Sequence, residues 1–142
     1  MNRDLTKATE ILKSGEYTCA LCKDDIVYSC TERGVKPLLG WIDEGLNLKD
    51  FSAADKVVGK AAAFLYVILG VKEVYAYVMS ESAVSVLKEY GIKTHYDKSV
   101  KYIINRLGTG KCPMEAAVWD ISVPNDALAA IRIRLEELKS SK

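Results

Sequence analysis

Apolar residues Leu5, Ala8, Ile11 and Leu12 recur at helical spacing and stop before Gly15, which predicts a first amphipathic helix. The stretches YTCALCK (17–23) and IVYSCT (26–31) then alternate like strands on either side of Asp24 and Asp25, the pattern of a hairpin with a tight turn. Pro37 and Gly45 bracket a short helix or turn. Ser52 followed by Asp55 has the spacing of a capping box, and predicts the start of a long apolar helix, FSAADKVVGKAAAFLYVILG, that runs to Gly70. The run EVYAYVM (73–79) has the character of a buried strand. Ser80 opens a helix with Ala83, Val84, Val86 and Leu87 on its apolar face. A strand at IKTHYD (92–97), a short helix at VKYIINRL (100–107), a loop GTGK (108–111) and a helix entered through Cys112 and Pro113 follow. A last amphipathic helix carries Leu128, Ile131, Leu135 and Leu138 on one stripe.

A hairpin followed by strand-helix-strand units builds one mixed sheet with helices on both faces, so the expected fold is a three-layer α/β/α sandwich. Its 142 residues suit a single domain, 1–142, able to bury a core without staples. Twenty basic and nineteen acidic side chains leave a net charge of +1, which gives no broad field for nucleic acid or an anionic membrane surface. The longest uncharged run, Ala61 to Val71, falls far short of the roughly 20 apolar residues that span a bilayer. The N-terminal stretch has no apolar signal region. Both features lead to a cytoplasmic expectation. Cys19 and Cys22 form a C-x-x-C, but residues three apart on a strand point to opposite faces, so a shared metal or redox role is disfavoured.

The phrases RGVKPLL (33–39), DKVVGKAAA (55–63) and INRLGTGKCPME (104–115) resemble those of a small uncharacterised bacterial family assigned to the cytidine-deaminase-like fold. The likeness runs from about Tyr17 to about Glu115. Deaminases of this fold hold zinc with a His or Cys followed by Ala-Glu at one helix start and Pro-Cys-x-x-Cys at the next. With helices at Ser52 and Ser80, those positions fall on Asp55, Lys56 and Gly59, and on Ser80, Glu81 and Ser82. No such ligand set stands there, so the resemblance implies the scaffold without zinc or any other cofactor.

On a helix from Ser52, Lys56 and Lys60 would lie one turn apart near the positive end of the macrodipole, where a cation costs about 0.3–1 kcal/mol. That placement calls for a negative group above the stripe. An internal carboxylate (Glu115, Asp43 or Glu44) is one answer; an anionic ligand between the two helix starts is the other. The candidate ligand-binding residues are Lys36, Asp55, Lys56, Lys60, Ser80, Glu81, Arg106 and Glu115. GTGK is not a Walker A loop, because Asn105 and Cys112 replace the glycine and hydroxyl residue that motif needs. Cys112, after Lys111 and before Pro113, is the candidate catalytic nucleophile.

The expected function is therefore metal-free binding of a small anionic, nucleotide-derived ligand. The competing expectation is a non-catalytic interaction or regulatory module whose pocket is closed by internal ion pairs. The apolar stripe of the last helix adds an expectation of homo-oligomers.

Overall fold

A computed structural model describes residues 2–105 and 107–140. Its elements run α1 (Arg3–Lys13), β1 (Cys19–Lys23), β2 (Ile26–Cys30), α2 (Lys36–Asp43), β3 (Ser52–Val58), α3 (Lys60–Leu69), β4 (Glu73–Ser80), α4 (Glu81–Glu89), β5 (Lys93–Val100), α5 (Pro113–Ala117) and α6 (Pro124–Ser140). The five strands form one mixed sheet in the order β2-β1-β3-β4-β5. β1 is antiparallel to both β2 and β3, while β3, β4 and β5 are parallel. Asp24 turns the hairpin with φ +53°, a left-handed conformation that Asp tolerates better than most residues.

Alternation along β1 divides the interior. Cys19 and Leu21 face the larger core, built with α2, α3, α4 and α6, whereas Ala20 and Cys22 face α1 with Ala54 and Tyr75. Leu5, Ala8 and Leu12 of α1 complete that smaller layer. The result is the three-layer α/β/α sandwich. Helix α3 is buried almost all round because α2, α4, α5 and α6 pack against it, which is why its sequence shows no polar face. The stripe of α6 turns inward: Ile131 is fully buried and Leu128, Leu135 and Leu138 pack against the same core. Among the described residues no helix is long and apolar enough to cross a membrane.

The structure corrects two expected elements. Ser52–Val58 is the central strand β3 and not the first part of a helix, and α3 begins only at Lys60. A strand covered on both faces loses its polar alternation, and Ala53 and Ala54 are small because helices press on either side. Ser52 is therefore no helix cap, and Lys56 and Lys60 do not share a helical stripe. The second correction concerns 100–107: β5 continues to Val100, and an Ile104–Lys111 bridge replaces the expected short helix.

β3 has one irregularity. Ala53 and Asp55 point toward the helical core, yet so does Val58, while Val57 turns out to solvent. The alternation slips by one residue across Lys56 and Val57, a local re-aiming of side chains of the kind found beside functional sites.

A candidate ligand cavity between two helix starts

The slip in β3 borders a cavity of about 440 Å³. Arg33, Gly34 and Val35 lead into α2 on one side; Gly59, Ala61 and Ala62 open α3 on another; Ile103, Cys112, Met114 and Glu115 close it from the C-terminal segment.

Asp55 lies on the cavity wall, and its Oδ2 accepts a 2.7 Å hydrogen bond from the hydroxyl of the fully buried Tyr66. Enclosure raises the pKa of this carboxyl to about 7, against the pull of the Tyr66 hydroxyl and the Val57 and Lys56 amides. The same enclosure, with Asp55 beside it, pushes the Tyr66 phenol well above its ordinary value. A carboxyl shifted in this direction holds its proton at higher pH than an ordinary aspartate.

Glu115 is only 1% exposed. Its Oε1 accepts from the backbone N–H of Lys60 at 2.6 Å and its Oε2 from that of Ile103 at 2.7 Å. Gly59, the residue before α3, has no side chain to cap the helix, so a carboxylate far along the chain does so. A Cβ on Gly59 would sit 2.9 Å from Ile103 Cγ1 and 3.1–3.2 Å from the Glu115 oxygens, so glycine is what lets the cap approach. The first internal bond of α3 runs from Ala63 N to Gly59 O. The N–H groups of Ala61 and Ala62 therefore have no intrahelical partner, and both residues line the cavity. With Arg33 and Lys56 also among its lining residues, the cavity combines donor groups with the carboxyl of Asp55.

The family model for a domain of unknown function, DUF1893, matches residues 7–135. The chain belongs to the DUF1893 family. Its structure is similar to the crystal structure of a DUF1893 family protein from Thermotoga maritima, with a TM-score of 0.83 and 25% identity over 96% of this chain and 92% of that one. A distant likeness, with a TM-score of 0.43 and 12% identity, covers 66% of this chain and 35% of a T. maritima diaminohydroxyphosphoribosylaminopyrimidine deaminase/5-amino-6-(5-phosphoribosylamino)uracil reductase. No curated protein matches the sequence.

In this DUF1893 domain the hairpin is followed by α2, then β3, then α3, so the cavity lies between the starts of α2 and α3 and not between helices starting at Ser52 and Ser80. Val35 and Lys36 stand at the first start, and Gly59, Lys60, Ala61 and Ala62 at the second. Among the described residues no group of three His, Cys, Asp or Glu side chains is placed to hold a metal ion.

Of the residues singled out from the sequence, the fold brings Asp55, Lys56, Cys112 and Glu115 to the cavity. It leaves Lys36 exposed at the start of α2, and Ser80 and Glu81 at the start of α4, where the Ser80 hydroxyl caps Ala83 N. None of those three lines the cavity: Lys36 is exposed to solvent, and α4 follows β4 and not the strand that carries Asp55. Lys60 Nζ donates to the carbonyl of Trp119 at 2.7 Å, so its charge is held by the protein. Arg106 lies outside the described residues. The sequence reading missed Arg33, the open amides of α3 and Tyr66, which had the look of a packing aromatic. Gly59 directly before Lys60 was the available signal, since a glycine between a valine pair and an alanine run marks a strand-to-helix junction as well as it fits a helix interior.

Proposed function

We propose that this DUF1893 domain binds a small anionic ligand, nucleotide-derived in character, in the cavity between the starts of α2 and α3. The observation that carries this reading is the meeting of two unlike surfaces in one cavity: the Ala61 and Ala62 amides with Arg33 and Lys56, and the ionisable carboxyl of Asp55. Phosphate or carboxylate oxygens suit the first, because helix N-termini and cations favour negative charge. An N–H or O–H donor suits the second. A nucleoside phosphate or a fragment of one carries both kinds of group within a small volume.

A second reading has its own support. The Glu115 carboxylate already occupies the first amide of α3, so part of the helix N-terminus is satisfied internally, as in an interaction module with a closed pocket. A thermal-shift series with nucleoside monophosphates, sugar phosphates and pyrophosphate separates the two, because a ligand selective for the folded state raises the melting temperature by mass action. Ligand binding predicts a rise that is lost in Arg33→Ala and weakened in Asp55→Asn. A flat response across the series favours the interaction module.

A further inference from the structure

Three side chains stand in one row across the sheet. Cys30 of β2 is the ladder partner of Cys19 of β1, and Cys19 is in turn the partner of Asp55 of β3. Directly opposed residues of an antiparallel pair project to the same face. Cys19 and Cys30 pack in the same core accordingly, whereas Cys22 lies under α1 on the other face and Cys112 belongs to the C-terminal wall of the cavity. Opposed Cα atoms are about 4.5–5.5 Å apart. That lies within the about 4.4–6.8 Å that a disulfide requires.

The two sulfurs differ in access. Cys30 is partly exposed, and its Sγ accepts a 3.3 Å hydrogen bond from the backbone N–H of Glu32, which fixes its position. Cys19 is buried beside Asp55. We propose that Cys30 and Cys19 are a reversible redox pair, with Cys30 oxidised by a peroxide, Cys19 closing a cross-strand disulfide, and Asp55 relaying the proton.

In the first step the Cys30 sulfur attacks the peroxide; an S–O bond forms, the O–O bond breaks, and the thiol proton leaves with the alcohol or water released. Cys30 becomes a sulfenic acid, its sulfur oxidised by two electrons as the peroxide is reduced by two. In the second step the Cys19 thiol gives its proton to Asp55 while its sulfur attacks that of Cys30. The S–S bond forms, the S–O bond breaks, and hydroxide departs as water with the proton from Asp55. Burial and the neighbouring Asp55 push the Cys19 thiol up, so it needs a local acceptor. Asp55, titrating near neutrality, is able both to take and to return a proton. The pair stands whether or not the cavity binds a ligand.

The test uses the full chain and hydrogen peroxide. A single equivalent should lower the intact mass by about 2 Da and link the tryptic peptides 14–23 and 24–33, with fragmentation placing the bond at Cys19; dithiothreitol should restore the mass. Cys30→Ser, at a partly exposed position, should abolish the loss of mass, and Cys112→Ser should leave it intact. Asp55→Asn should slow disulfide closure about tenfold or more and let a dimedone adduct accumulate on Cys30. Oxidation of Cys30 to sulfinic acid without linkage, a bond to Cys22 or Cys112, or an Asp55→Asn variant that closes at the wild-type rate would each overturn the assignment.

Discussion

Glu115 takes its hydrogen bond from the backbone N–H of Lys60 and not from the ammonium of the same residue, which turns away to the carbonyl of Trp119. The two groups of Lys60 therefore serve different parts of the fold: the amide receives the helix cap, and the side chain ties α3 to the turn after α5.

Removing the cap leaves two amides, those of Lys60 and Ile103, without an acceptor. Each buried unsatisfied group costs roughly 1–3 kcal/mol. Both amides are partly buried, so Glu115→Ala is expected to lose roughly 2–3 kcal/mol, the low end of that range for two groups, in urea unfolding, a loss shared by no substitution of an exposed carboxylate such as Glu137. A change under about 0.5 kcal/mol, the ordinary range of surface substitutions, would remove Glu115 from this role.

Gly59→Ala asks whether the close approach matters. The backbone there (φ −94°) suits any residue, so the penalty comes from the new methyl group meeting Ile103 and the Glu115 carboxylate. Overpacking of this kind costs typically 1–3 kcal/mol. Combined with Glu115→Ala, the cost should shrink, since the substitution removes one of the groups in the way; a double-mutant cycle on unfolding free energies reads that coupling.

Asp55 gives the stability a slope of unusual sign. Its folded pKa of about 7 lies above the unfolded value near 3.8, so the folded protein holds the proton more tightly. The stabilisation from this group is complete below about pH 4 and is lost as the pH rises through about 7, after which it is flat. Asp55→Asn should remove that decline. Subtracting the two urea-midpoint profiles isolates it from the other carboxylates, and a difference that stays constant from pH 4 to 8 would contradict the enclosure of Asp55.

Lys60→Met should cost roughly 1–2 kcal/mol through the lost bond to Trp119. It should leave any ligand-induced rise in melting temperature intact, because Lys60 does not line the cavity. Loss of the ligand response with unchanged stability would be the opposite outcome, placing the ammonium in the site.

Most of the element order was legible because turns and caps announce themselves locally. Gly15, Gly70 and Gly91 adopt positive φ where the first, third and fourth helices end, and Ser80 does cap α4. β3 was not legible as a strand for a tertiary reason. Ser52 and Asp55 at capping-box spacing, followed by alanines and valines, satisfy the local grammar of a helix, and only pairing with both β1 and β4 overrides it. That one misreading carried the candidate site from the α2 and α3 starts to the α3 and α4 side. It kept Asp55, Lys56, Cys112 and Glu115, which line the cavity, and brought in Ser80 and Glu81, which do not. Tyr66 and Arg33 carried no local mark, since a buried tyrosine and an exposed arginine acquire a role here only through what the fold sets opposite them.

The bond from Ile103 N to Glu115 pins the chain at both ends of a short excursion whose far side, at Leu107, is 84% exposed. A loop fastened at its base is indifferent to its own length: each doubling adds only about 0.6 kcal/mol of closure entropy. Extra residues placed between Leu107 and Gly108 would extend into solvent and leave the cavity wall at Ile103 and Cys112 where it is, making this the natural seam of the domain for an insertion.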